Sequence, residues 1–168
     1  MAERVPWAGS LSFIVPHDPV PQPRPRFTAV GGHPRPYTPS DHPIHAFRAA
    51  VRLAARLALA GRGPTDKPLQ SCMRFRIPRT KEMMRKCVPD GEIPHTSSSR
   101  LDVENLAKGA LDSLGPFHPH GKKRSPETAL VFRDDSQVWW LRTVKVWAPK
   151  GSDGSVTIRF ALDEDEVF

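Results

Sequence analysis

At 168 residues, 38% of them apolar, the chain is long enough for one ordinary domain with a real core. No apolar run approaches the roughly 18–20 residues that span a bilayer, and no signal-peptide pattern opens the chain, so a soluble, cytoplasmic protein is expected. The formal charge of +7 is uneven: residues 1–100 carry 16 Lys and Arg against 7 Asp and Glu, while residues 101–168 carry 9 against 11.

Ser10–Val15 alternates polar and apolar residues and reads as a first strand. The stretch 16–39 is rich in the chain's 19 prolines, which forbid helix and pre-set extended backbone, so Arg24 and Arg26 are presented on a stiff, open segment. A helix follows, with Ser40 or Asp41 as its cap and Pro43 in its first turn. Its apolar positions are Ile44, Phe47, Ala50, Val51, Ala54, Leu57 and Ala58, with Arg48, Arg52 and Arg56 as a basic stripe beside them. Gly61, Gly63 and Pro64 stop it.

Leu69–Ile77 is a second strand, with Met73, Phe75 and Ile77 facing a core and Arg74 and Arg76 facing out. The segment 78–100 is expected as a polar, basic loop. A second helix runs from Asp102 to a C-capping Gly115, with an apolar face of Val103, Leu106, Ala107, Ala110, Leu111 and Leu114. After a loop, Gln137–Trp147 and Ser155–Leu162 read as two strands joined by a Gly-rich turn, and residues 163–168 form an acidic tail. The order predicts an α+β fold, a mixed sheet with two main helices packed on it, in one domain over residues 1–168. Cys72 and Cys87 supply neither a disulfide framework nor a zinc site. No Ser-His-Asp or Cys-His arrangement, phosphate loop or base-reading motif is present.

The chemistry concentrates in Asp102-Val103-Glu104-Asn105-Leu106-Ala107-Lys108. On a helix Glu104, Lys108 and Asp112 share the face opposite the leucines, and Asp102 stands at the N-cap. Asp134-Asp135 comes just before the third strand. Converging carboxylates repel unless a hard divalent cation neutralises them, and magnesium accepts carboxylate, water and phosphate oxygens. Spacing alone fits two readings. One is a metal site for phosphodiester hydrolysis with Lys108 as an added positive charge. The other is a surface Glu104–Lys108 ion pair, an N-cap and a turn.

The string Asp102 to Leu114 resembles the central motif of the RusA family of Holliday-junction resolvases, which reads Asp-x-Asp-Asn-Leu-x-Lys, a small apolar run and Asp-x-Leu. Asp134-Asp135-Ser136-Gln137-Val138 is similar to that family's Asp-Asp-x-Gln-Val/Ile element before a strand ending in Lys, here Lys145. The Pro-x-Pro-Arg-Pro-Arg-Phe stretch and Tyr37-Thr38-Pro39 are similar too, so the ordered match runs from about Phe13 to Phe160. The resemblance implies a homodimeric endodeoxyribonuclease acting on four-way or other branched DNA, in recombination and repair, with paired nicks. It implies Mg2+, with Mn2+ as an alternative, held by Asp102, Glu104 and Asp135, with Asp134 a further candidate, and an essential Lys108. One departure is Glu104 where the family has Asp. Its extra methylene predicts a shifted ion or one more water in the shell, and weaker activity or a drift toward manganese. A drifted site leaves a non-catalytic branched-DNA-binding protein as one alternative; a general structure-selective metal nuclease is another.

The candidates for phosphate contacts are Arg24, Arg26, Arg35, Arg74, Arg76, Arg79, Lys81, Arg85, Lys86, Lys122, Lys123 and Arg124. The last three lie in a loop, longer than the family's, that is read either as a DNA contact or as an exposed insertion.

Overall fold

In a computed structural model of the chain, residues 4–24, 26–30, 33–86, 88–96, 101–116 and 128–162 are described. Seven strands and three helices follow in the order β1 (Ser10–Val15), β2 (Arg26–Val30), β3 (His33–Tyr37), α1 (Ile44–Leu59), β4 (Leu69–Ile77), α2 (Lys81–Arg85), β5 (Ile93–Pro94), α3 (Val103–Leu111), β6 (Val138–Trp147) and β7 (Ser155–Leu162). Five strands form one sheet in the order β1-β7-β4-β6-β5. Only β4 and β6 run parallel; the other pairs are antiparallel, so the sheet is mixed. β2 and β3 form a separate ribbon within the proline-rich stretch, where the prolines predict only extended backbone. Pro34 and Pro36 withhold donors there, and a two-stranded ribbon tolerates this because both its strands are edges.

Alternation sets the sheet's two faces. Leu11, Phe13 and Val15 on β1, Leu69, Met73, Phe75 and Ile77 on β4, and Val156, Ile158, Phe160 and Leu162 on β7 all point to one side and are buried. There they meet Ile44, Phe47, Val51, Ala55 and Leu59 of α1 and Leu106, Ala107 and Ala110 of α3 in a single core. α1 packs on β1, α3 on β6, and the two helices touch. The opposite face of the sheet carries no helix among the described residues.

Several expectations need correction. α1 begins after Pro43 with no side-chain cap; the His42 ring nitrogen Nδ1 accepts from the Ile44 amide at 3.1 Å instead of Ser40 or Asp41 doing so. Leu57 is 73% exposed, while Ala55 and Leu59 are buried: the sheet selects a stripe turned slightly from the one periodicity suggests. The helix ends at Ala60, whose left-handed φ of 48° lets its amide bond back to the Arg56 and Leu57 carbonyls. The segment 78–100 is not wholly loop, since it holds α2 and the two-residue β5. Cys72 is a free thiol; Cys87 lies outside the described residues.

Two glycines permit close packing. At Gly109 an added Cβ would stand 3.1 Å from the Val20 carbonyl oxygen, and the Gln22 amide donates to the Asn105 carbonyl at 2.9 Å. The proline-rich segment is thus laid directly against α3. At Gly115 a Cβ would sit 2.8 Å from the buried Phe132 ring. Gly115→Ala is expected to destabilise the fold by about 1–3 kcal/mol, the usual cost of overpacking; a urea midpoint equal to wild type would show that Phe132 can retreat.

Candidate active site

The first turn of α3 presents the acids suggested by the sequence. Asp102 is the N-cap; its carboxylate accepts from the Glu104 amide and from the Asn105 side-chain nitrogen, both at 3.3 Å. These bonds aim the carboxylate along the start of the helix, where the positive end of the helix dipole favours negative charge. Glu104 and Lys108 are both exposed, one turn apart, and no ion pair joins them. Asp112, on the same face, is occupied elsewhere: its carboxylate takes the Arg48 guanidinium at 3.2 Å.

Arg48 and Arg52, two arginines of the basic stripe of α1, make structural bonds. Arg48 also donates to the Gln22 side-chain oxygen at 2.6 Å, fastening the proline-rich segment. Arg52 donates to the Ser113 and Thr128 carbonyls at 2.7 and 3.0 Å. Burial lowers the pKa of both; Asp112 partly offsets this at Arg48, and neighbouring Arg56 adds to it at Arg52. The two arginines clamp α1 to the far end of α3.

Lys145 ties the other end of α3 to the sheet. Its ammonium donates to the Leu101 carbonyl at 2.6 Å, immediately before Asp102. The His95 amide bonds to the Lys145 carbonyl at 3.1 Å, and the buried His95 ring stacks on Trp147 at 4.1 Å. Desolvation, then the Lys145 charge, hold the His95 pKa below its ordinary value. The unfolded chain, with a value near 6.5, therefore binds the proton more readily. Stability present above about pH 6.5 is expected to be lost as pH falls from there through the folded-state value. Urea midpoints taken between about pH 7.5 and 5.5 should fall more steeply for wild type than for His95→Phe; equal slopes would remove His95 as the cause.

Asp134 and Asp135 stand at the opposite end of β6. Asp134 caps a 3₁₀ turn, Asp135–Gln137: its carboxylate accepts from the Ser136 amide at 2.9 Å, and the Gln137 side-chain oxygen accepts from the Asp134 amide at 2.9 Å. Gln137 also donates to the Thr65 and Lys67 carbonyls, anchoring the turn. This makes Asp134 a structural acid. Asp135 is exposed, and its carboxylate makes no hydrogen bond or ion pair with the rest of the chain.

Within one chain the four residues do not meet. Lys145, beside Asp102, lies seven residues beyond Val138, roughly 23 Å of strand. Among the described residues no group of three metal-ligating side chains gathers. What α3 does offer is a pair of exposed carboxylates, Asp102 and Glu104. That fits magnesium, which is commonly held by one or two carboxylates, waters and phosphate oxygens.

The basic candidates divide in the same way. Arg24 and Arg26 are exposed, as are Lys81 and Arg85. Arg79 donates to the Ala148, Pro89 and Gly91 carbonyls at 2.8, 2.6 and 2.6 Å. Lys86 pairs with Glu82, whose pKa it lowers. Arg74 and Arg76 both hold Glu92. The Arg35 side chain and residues 122–124 lie outside the described residues. Lys145 was legible only as the end of a strand; its position beside Asp102 depends on how α3 crosses the sheet.

No curated protein matches the chain significantly. A family model described as Endodeoxyribonuclease RusA matches residues 16–159, from the proline-rich segment laid on α3 to the last strand of the sheet, and so includes both acidic clusters and the strand between them. With the fold an α+β sandwich of the expected kind, the chain belongs to the RusA family of Holliday-junction resolvases, endodeoxyribonucleases that hydrolyse phosphodiester bonds.

Proposed function

We propose that this enzyme makes paired nicks in four-way DNA junctions, in recombination and repair, as a magnesium-dependent homodimer whose two active sites each draw on both copies. The observation that carries this reading is the placement of exposed acids at both ends of one open strand. β5 pairs with Trp147 and Val146 of β6 and the His95 amide reaches the Lys145 carbonyl, so the edge from Val138 to Val144 has no strand partner among the described residues. Trp139 and Leu141 stand 56% and 44% exposed along it. A long apolar edge invites pairing with another chain. Antiparallel pairing of two β6 edges about a twofold axis lays one copy's Val138 end beside the other's Trp147 end. The partner's Asp135 then approaches Asp102 and Glu104.

In this arrangement Asp102, Glu104 and the partner's Asp135 hold the metal, with Asp134 behind them as the cap that orients the turn. When bound, the ion would supply Lewis acidity to the scissile phosphate and to the attacking water, which would then lose its proton more readily. Lys108, one turn above Glu104, places an ammonium where negative charge accumulates on the phosphate. Lys145 and the Asn105 amide keep Asp102 from swinging away. Arg24 and Arg26, on the segment fastened to α3, together with Lys81 and Arg85, meet phosphates flanking the cut. Such contacts read no sequence, so junction shape selects the substrate. A twofold dimer matches a junction's own twofold symmetry.

The test is cleavage of synthetic four-way, flap, single-stranded and duplex DNA with magnesium, with manganese and with chelator. Symmetric cuts in the junction that require the metal support the reading. Equal cutting of flaps would make the enzyme a general structure-selective nuclease. Tight junction binding with no cut under either metal would leave a DNA-binding protein whose Glu104 site has lost its chemistry.

A further inference from the structure

The sheet face turned away from the helices has a composition that the active site does not explain. β4 presents Cys72, Arg74 and Arg76 there, β7 presents Thr157 and Arg159, and β6 presents Arg142, which the register sets level with Cys72 and Arg159. A cavity of about 250 Å³ opens on this face, lined by Cys72, Arg74, Arg76, Thr157 and Arg159. Glu92 is the acid that reaches in. It braces Arg74 at 2.9 Å and also takes Arg76, while Arg76 donates to the Thr157 hydroxyl at 2.8 Å. Arg142 and Arg159 are exposed and make no ion pair or hydrogen bond through their side chains. Among the described residues, four guanidiniums against one carboxylate leave the face strongly positive. The cost of crowding like charges makes this a surface built for an anion.

We infer that this face is a second phosphate-binding surface, which holds a stretch of duplex DNA other than the one being cut. The inference rests on DNA being the substrate. Three features favour a nucleic acid as the occupant. Arg142 and Arg159 flank Cys72 across the strands, about 10 Å apart at the usual strand spacing, so their guanidiniums can reach separate phosphates. Glu92 holds Arg74 and Arg76 in fixed orientation, which lowers the entropy lost when they meet phosphate oxygens. A second copy of this chain is disfavoured, because the face would oppose its own arginines, and like charges across an interface cost several kcal/mol. The sheet itself separates this face from α3. One phosphodiester therefore cannot touch Asp102 and Arg159 of the same copy, and the DNA held here is a different segment of the substrate.

The experiment measures binding of the full chain to a fluorescent four-way junction in chelator, over a range of salt concentrations. The variants are Arg142→Ala/Arg159→Ala and Arg142→Lys/Arg159→Lys, with unfolding midpoints recorded for each. Two lost phosphate contacts per copy should make the slope of log K against log salt shallower by about 1.8 if one copy's face is engaged and about 3.6 if both faces of the dimer are, at about 0.9 per contact. The lysine pair should restore most of the slope, because phosphate attraction at this face is chiefly charge. Both variants should unfold at the wild-type midpoint, since neither side chain is packed. A slope within about 0.5 of wild type in the alanine pair overturns the inference, and that is also the result expected if the face serves an acidic protein. Cleavage by wild type in magnesium, measured in parallel, keeps the two ideas separable: loss of the slope without any cutting sinks the nuclease reading and leaves this surface standing.

Discussion

Asp102→Asn and Asp135→Asn are each expected to abolish junction cutting, yet an equal mixture of the two inactive proteins is expected to cut again. The first half follows from the metal. Removing one charged oxygen ligand from a phosphoryl-transfer site forfeits several kcal/mol of transition-state stabilisation, or roughly three decades in rate. The second half follows from the geometry of β6. Asp102 lies beside Lys145 at one end of the strand, held to it through the Leu101 carbonyl, and Asp135 opens the turn at the other. If each active site takes Asp102 from one copy and Asp135 from the other, a mixed dimer has one site with both acids mutated and one fully wild type. Random exchange makes about half the dimers mixed, so about a quarter of the sites should be intact. Those sites should nick one strand and leave paired cuts rare. A mixture as inactive as its components, after subunit exchange has been confirmed by mass, would mean that no site is shared between copies. The proposed assembly would then be wrong even with the enzyme's family unchanged.

Lys108→Ala is expected to slow cutting by about 10²–10³-fold at saturating junction, with binding little altered. Lys108 is exposed on α3, one turn from Glu104, and neither Glu104 nor another acid holds it. A lysine without a partner, one turn from Glu104 on the helix that Asp102 caps, is free to meet charge that builds on a phosphate during reaction. Losing one such stabilising group is a loss of that size in other preorganised sites. Because the effect belongs to the transition state, it should appear in the turnover rate and not in the junction dissociation constant. Single-turnover cleavage on excess enzyme separates the two. Wild-type turnover would demote Lys108 to a solubilising surface charge. Weaker binding at unchanged turnover would make it a ground-state phosphate contact.

The local parts of this protein were legible because each is written in a short stretch. Alternation in Ser10–Val15, Leu69–Ile77 and Ser155–Leu162 gave those strands within a residue, and the apolar face of α3 is the one that periodicity marks. Asp102 is the N-cap that its place before a helix suggests, and the Asp-x-x-Gln spacing of Asp134 and Gln137 became a capping box. Leu57 was misassigned because an alanine-rich helix has two plausible stripes, and only the sheet decides which is buried. The ribbon of β2 and β3 was missed because prolines signal extended backbone without saying what it pairs with.

The sequence by itself determined the two long helices and four of the strands, the family resemblance and the acids and lysine worth testing, because capping, periodicity and motif spacing act within about a dozen residues. Which charges are free was decided only by the tertiary structure. Arg48 and Arg52 form a basic stripe in the sequence and Arg79 a candidate phosphate contact, and in the fold they are bound to Asp112 or to carbonyls. Asp102 and Asp135 belong to two separate motifs in the sequence, and the fold sets them toward opposite ends of β6. The reason is that a guanidinium's partner, and a strand's direction past a helix, depend on contacts between residues scores of positions apart, and no local pattern records these.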